Sequence, residues 1–508
     1  MNRRVVATVV LVVWAIVVGM HVRREYFKPL ASRLAAGARA FAPGTHYYVV
    51  RMSGQTIGFA QARLDTVAEG FRFSDRITLD VPAAGAVHSA TATTTIHLSR
   101  SLALQKFSFG LTSEVGNFRV DGVVRENGAV ALDLNAGGTA QTTRLAADSL
   151  LLLDAAVPMR IAAAGGLHVG RTYAVRVLDP SSLSVREDQI RVAAHDTIVV
   201  ADSARYENGE WVVSSLDTIP VWRLEQRFGG VVIGTWVDED GQLVRAESPL
   251  GYTLERTAFE IADQEFKRAR SAGSIAAGYG PVIEQTAIAS NVDLTKAAYA
   301  ERMRVRLLNV DLAGFDLSGG RQELHGDTLI IRRERGIRMH AGYRLPYTGS
   351  MVPPETLMPA PLIQSNDPRI VEQARRIAGD SRNPAEVARL LNEWVYREVK
   401  KDITLSVPSA LQVLDAMQGD CNEHTVLYVA LARALGLPAR TAVGLVHVRG
   451  SFYYHAWPEV WLGNAWVAVD PTLGQYPADA AHLRFLVGGL ARQVELIRLI
   501  GRLGLEVL

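Results

Sequence analysis

The chain has 508 residues, with 54 Lys+Arg against 52 Asp+Glu and a formal net charge of +2. That length exceeds what one hydrophobic core supports and implies two to four domains. With 48% hydrophobic and 21% charged residues, the chain is neither wholly disordered nor a polytopic membrane protein. The near balance of charge offers no basic stripe for a phosphate backbone, so no nucleic-acid partner is expected. One cysteine, Cys421, excludes an intramolecular disulfide framework and any multi-thiolate metal site. Cys421 is left as either an incidental thiol or a reagent.

Arg3 and Arg4 precede an apolar run from Val5 to Met20, interrupted by Thr8. At about 1.5 Å per residue this run covers about 25 Å, slightly short of a ~30 Å hydrocarbon core. The following Gly19-Met20-His21-Val22-Arg23-Arg24 lacks a small-x-small cleavage pattern, so an uncleaved transmembrane anchor with its linker is expected over 1–40. Arg3 and Arg4 before the run are balanced by Arg23, Arg24 and Lys28 after it, which leaves orientation unsettled by charge. The scarcity of thiols favours an extracytoplasmic, periplasmic bulk.

From 41 to 260 the pattern is that of strands. Phe73, Ile77, Leu79 and Val81 fall at period two, as do Phe107, Phe109 and Leu111. Asn127-Gly128, Asn208-Gly209 and Asp240-Gly241 are hairpin turns between apolar runs. A large antiparallel sheet, curved into a half-barrel, is expected. Residues 261–350 read as a mixed connecting domain, with a helix through Glu265 to Arg268 and short strands such as Thr328 to Arg332. Pro353-Pro354 and Pro359-Ala360-Pro361 then mark a boundary. Over 351–508 the texture becomes α/β, beginning with a helix capped at Asn383 and carrying Val387, Leu390, Leu391, Trp394 and Val395 on one face.

Gly419-Asp420-Cys421-Asn422-Glu423-His424 opens a helix of about four turns that stops at Gly436 and Pro438. Asp420 fits the N-cap and Glu423 the third position, an acidic capping box. Cys421 then stands in the first turn, where free amides and the helix dipole favour a thiolate. Asp420 and Glu423 oppose that ionisation, and a nearby imidazolium would have to outweigh them. Downstream, the strand around His455 meets a Gly463-Asn464 turn, and Trp466 to Thr472 return with Asp470. Antiparallel pairing brings His455 and Asp470 close together, so that the carboxylate holds one imidazole nitrogen and the other faces the sulfur. His424 lies on nearly the same helix face as Cys421, His447 shares strand parity with His455, and Asn422 is a candidate oxyanion donor beside the Cys421 amide. The segment from Leu473 to His482 closes one side of the cleft, and the tail ends in a strand, an amphipathic helix and a last strand.

Gly-Asp-Cys421-Asn-Glu-His, Leu431-Ala-Arg-Ala-Leu-Gly-Leu-Pro-Ala-Arg440, His455-Ala-Trp457-Pro-Glu-Val and Trp466-Val-Ala-Val-Asp470-Pro-Thr472 together resemble the bacterial transglutaminase-like family over about 360 to 490. The resemblance implies an α+β chain whose C-terminal papain-like core packs a nucleophile helix on an antiparallel sheet, after a large antiparallel β domain and one N-terminal transmembrane helix. It implies a catalytic triad of Cys421 as nucleophile, His455 as base and acid, and Asp470 as orienter. The substrates would be proteins or peptides, attacked at carboxamide or peptide bonds through a thioester; no cofactor or metal is expected. The alternative is a non-catalytic envelope module whose β domain holds a partner or a lipid.

Overall fold

Alternating apolar and polar side chains govern the first half of the chain, and its hydrogen bonding follows from them. The computed structural model describes residues 29–83, 86–114, 116–136, 139–145, 151–228, 231–248, 251–271, 287–294, 301–334, 341–404 and 406–508. The expected anchor run, Val5 to Met20, lies outside the described residues. Among those described, no helix is long and apolar enough to cross a membrane.

Strands between Gly44 and Thr257 form one 15-stranded sheet. Nearly every strand pairs antiparallel with its sequence neighbour, and the first, Gly44–Met52, also pairs with the last, Tyr252–Thr257. Two arms therefore spread from a shared centre. Sharp reversals use residues that tolerate positive φ: Asn208 (φ 52°) and Gly209 (φ 89°) alone connect strands Ser184–Glu207 and Glu210–Phe228. The arms curl until they share one core. Ile96, Phe107 and Val120 of one meet Val177, Ile190 and Leu224 of the other, with Leu34 and Met159 filling between them. This is the curved antiparallel sheet that the period-two pattern implies.

The C-terminal region is layered. A sheet built on Ala439–Val448 and Ser451–Leu462 carries helices on one face, where Val387, Leu391, Leu427 and Leu431 pack against Val460 and Val467. On its other face, Leu445, Phe452 and Phe485 pack against Val305, Ile331 and Leu505 of a four-stranded sheet. Strands of the preceding segment serve these sheets: Ile288–Ala289 pairs with Ser451–Leu462, and Arg302–Leu308 pairs with the final strand Gly504–Val507. The helix Pro384–Glu398 begins as its sequence requires, with Asn383 Oδ1 accepting from the Ala385 amide at 3.0 Å.

Strand register decides where the chemistry sits. Gly444 pairs with His455 on one side and with Arg484 of His482–Val487 on the other, at a local register shift. A Cβ on Gly444 would lie 1.9 Å from the Leu483 carbonyl oxygen, so glycine is what lets the His482 strand close in. Backbone cannot step aside as a flexible side chain can, and the expected cost of Gly444→Ala is about 1–3 kcal/mol. Urea unfolding checks this: a lowered midpoint is expected, and an unchanged one would contradict the close approach.

Candidate active site

The helix Cys421–Ala434 starts on the acidic capping box expected from its sequence. Asp420 Oδ1 accepts from the Asn422 amide at 2.7 Å, and the Asp420 amide donates to Glu423 Oε2 at 3.0 Å. The remaining Glu423 oxygen accepts from the Thr404 and Ser406 hydroxyls at 3.0 and 2.5 Å. Gly419 is needed because a Cβ there would lie 2.2 Å from Glu423 Cβ. Cys421 is thereby fixed in the first turn, half-buried, with the Ala456 amide donating to its sulfur. Burial and the Asp420 carboxyl, with Glu423 and Asp470 further off, push the thiol well above its ordinary range; the Ala456 N–H works against them. The resting sulfur is thus a thiol, and its ionisation needs a base.

A histidine–carboxylate pair stands on the second strand after this helix and beyond. Ser451–Leu462 carries His455, whose Nε2 is 2.8 Å from Asp470 Oδ2. Asp470 follows the strand Ala465–Ala468, just beyond the paired ladder. Pro471 turns the chain so that the Thr472 and Leu473 amides donate to Asp470 Oδ1 at 2.8 and 2.9 Å. Although fully buried, Asp470 is held far below the usual carboxylate range, because its interactions with His455 and His482 outweigh desolvation. An ionised carboxylate only accepts, so His455 Nε2–H is the donor to Asp470. Trp457 stacks on the His455 ring at 6.0 Å and shields it from water.

The sequence-derived trio thus resolves into a helix-borne thiol and a directly bonded His455–Asp470 pair. A further member was not anticipated as a site residue. His482 Nε2 also lies 2.9 Å from Asp470 Oδ2, and its Nδ1 lies 2.9 Å from Asp479 Oδ1. Both ring nitrogens face carboxylates, so both are protonated and His482 is a fully buried imidazolium. The two acids raise its pKa above the ordinary histidine value although burial works the other way. Asp479 is held in turn by Gln475 Nε2 and the Ala481 amide, each at 2.9 Å. The sequence signal was an acid three residues before a histidine, read only as part of a cleft wall.

Other candidates take structural posts. His424 is fully buried, with Nδ1 2.7 Å from the Asp420 carbonyl and Nε2 3.2 Å from the Val399 carbonyl; burial lowers its pKa, so the neutral ring donates to one of these carbonyls. His447 packs edge-on against Phe452. Asn422 Oδ1 is buried beside the helix start without a hydrogen-bond partner among the described residues. Among the described residues, atoms that suit a cation are those of His455, Asp470 and His482, all within 4.8 Å of one another. Hydrogen bonds of 2.8 and 2.9 Å hold the two imidazoles to Asp470 Oδ2.

Residues 371–471 match the model of the transglutaminase-like superfamily. The match takes in Cys421, His455 and Asp470 and ends before His482. The C-terminal region therefore carries a transglutaminase-like domain, preceded by a large β-rich region. No curated protein matches the chain. A Cytophaga hutchinsonii structure provisionally described as a cysteine protease is 15% identical, covering 41% of this chain and 81% of that one at a TM-score of 0.26. A beta-barrel-like protein from Brucella abortus, of a domain of unknown function, is 13% identical and covers 42% of this chain and 95% of its own at a TM-score of 0.30. Likenesses at this level say nothing about what the chain does.

The buried imidazolium has a pH signature. A histidine whose folded pKa is raised stabilises fully below its unfolded value of about 6.5, and that stability fades as pH climbs towards the folded value. Asp470 and Asp479, both depressed, act oppositely: their contribution is present above about 3.9 and is lost as pH falls towards their folded values. The stability gap between wild type and His482→Gln should therefore be widest near pH 6 and narrow by about pH 8.5. Urea midpoints at the two pH values measure it. An equal gap at both would contradict the charge assigned to His482.

Proposed function

We propose that the chain is a transglutaminase-like cysteine enzyme acting on carboxamide or peptide bonds of protein or peptide substrates. The observation that carries this reading is the Asp470-held imidazole of His455 in a site whose thiol stands at a capped helix start. His455 Nδ1 would take the Cys421 proton as the sulfur attacks the carbonyl carbon. The new imidazolium is welcome there. With His455 neutral, Asp470, Asp479 and the His482 imidazolium carry a net charge of −1, and protonating His455 brings the cluster to zero.

The tetrahedral oxyanion would be met by the Cys421 amide at the helix start. As it collapses, the C–N bond breaks and His455 returns its proton to the departing amine or ammonia, leaving a thioester on Cys421. Water or an amine then attacks the thioester as His455 takes its proton, the C–S bond breaks to release the acid or the new amide, and His455 returns the proton to the Cys421 sulfur. A membrane-anchored, periplasmic setting belongs to the same proposal. It rests on the apolar run before the described residues and on the scarcity of thiols.

A second reading has one observation in its favour. Between the arms of the β sheet lies a cavity of about 270 Å³, lined by Phe73, Ile77, Met159, Leu224 and Val237 with Asp75 among them. Burial raises the Asp75 carboxyl to about 6. A ligand-holding envelope module would need this cavity and not the thiol. In complementation, that reading expects Ile77→Trp to fail and Cys421→Ala to succeed.

Because Cys421 is the one cysteine of the chain, a thiol-alkylating probe reports on it alone. Wild type should label readily and Cys421→Ala not at all. His455→Ala should slow labelling by about 100-fold or more, the usual span for a lost general base. Labelling of His455→Ala at the wild-type rate would remove the base from this mechanism.

A further inference from the structure

The β region meets the C-terminal region at a hairpin tip. Strands Thr172–Asp179 and Ser184–Glu207 pair out to Asp179 and Ser184, and the turn between them ends in Leu183. Leu183 has a φ of 55°, a conformation natural to glycine and strained for a residue with a side chain. Only what the side chain touches can justify leucine there. It packs, with Leu362, against the core of the β region, and Val407 is buried in that same core. Both Leu362 and Val407 belong to the segment leading into the Cys421 helix, so the two regions share apolar contacts beside it.

A cavity of about 190 Å³ opens at this junction. Leu183, Leu362, Pro408 and Val426 give it apolar walls, Asn422 and Thr425 line it as well, and no charged residue does. Asn422 Oδ1 and Thr425 Oγ1 are buried with no hydrogen-bond partner among the described residues, and Thr425 is fully buried. Polar atoms left so are costly; two of them on one wall point to a ligand that brings hydrogen-bonding groups of its own. Asn422 directly follows Cys421, and Thr425 stands one helical turn from it on a neighbouring face. The volume is below the ~300 Å³ at which pockets begin to hold whole drug-sized ligands, and suits a single side chain.

We propose that this inter-region cavity is a specificity subsite of the Cys421 centre, taking an apolar side chain of a peptide substrate. The adjoining peptide N–H donates to Asn422 Oδ1, and the Thr425 hydroxyl meets a peptide carbonyl or amide. A charged side chain is disfavoured because the lining, to which Ser182, Thr441 and Gln493 also add polar groups, holds no opposite charge. The inference rests on the enzymatic reading of Cys421. It gives the β region, through Leu183, a part in choosing the substrate.

Two capped dipeptide chloromethyl ketones, differing only in leucine or aspartate beside the reactive residue, test it on the full chain. Alkylation of Cys421 is followed by intact mass, and each rate is divided by the same protein's iodoacetamide rate. Wild type should prefer the leucine probe by at least about tenfold, the discrimination an apolar pocket supplies. Leu183→Asp should erase that preference, and Thr425→Val, close in shape and lacking the hydroxyl, should slow both peptide probes several-fold. A wild type that shows no leucine preference, a preference that survives Leu183→Asp, or peptide rates unchanged in Thr425→Val overturns the subsite and leaves the reading of Cys421 standing. Wild type that reacts with neither probe faster than free cysteine does overturns that reading, and the subsite falls with it.

Discussion

One oxygen atom organises the C-terminal region. Asp470 Oδ2 accepts from His455 at 2.8 Å and from His482 at 2.9 Å, and the imidazoles come from strands on either side of Ala439–Val448. A buried carboxylate is tolerable only when its lone pairs are filled. Here the two amides after Pro471 and the two histidines fill all four. Much of the local architecture reads as the means to that end. Gly444 admits the His482 strand, Asp479 and Gln475 fix the far side of His482, and Trp457 covers both rings, lying 5.2 Å from His482 at 83°.

The helix start embodies an opposing requirement. A capping box of two acids fastens the first turn, yet places Asp420 and Glu423 where they disfavour the thiolate. Burial and the Glu423 charge raise the Asp420 carboxyl well above its ordinary value, which removes part of that opposition, and Glu423 spends its oxygens on the Asp420 amide, Thr404 and Ser406. The thiol stays protonated at rest. A nucleophile of this kind is activated when its proton moves to His455, which suits a reagent that would otherwise alkylate or oxidise.

Much of this was legible in the residues. Period-two apolar runs and Asn-Gly turns gave the antiparallel sheet, because each signal acts within a few residues. The Asp420/Glu423 box and the Gly463-Asn464 turn likewise located Cys421, His455 and Asp470 from local rules. What escaped was non-local. His482 became a partner of Asp470 only because His482–Val487 crosses to the far edge of Ala439–Val448, which no periodicity announces. His424 lay on the right helix face to approach the sulfur, but its nitrogens face the carbonyls of Asp420 and Val399. The pairing of Arg302–Leu308 with Gly504–Val507 joins strands almost two hundred residues apart, and short strands in a mixed segment carry no mark of their partner.

The account stands on one carboxylate accepting from two imidazoles, and histidine side-chain nitrogen NMR on 15N-labelled wild type near neutral pH measures that directly. The expected result is a His482 with both ring nitrogens protonated, assigned by its loss in His482→Gln, beside a His455 that carries a proton on Nε2. A His482 with a single protonated nitrogen, or a His455 whose proton sits on Nδ1, would contradict it.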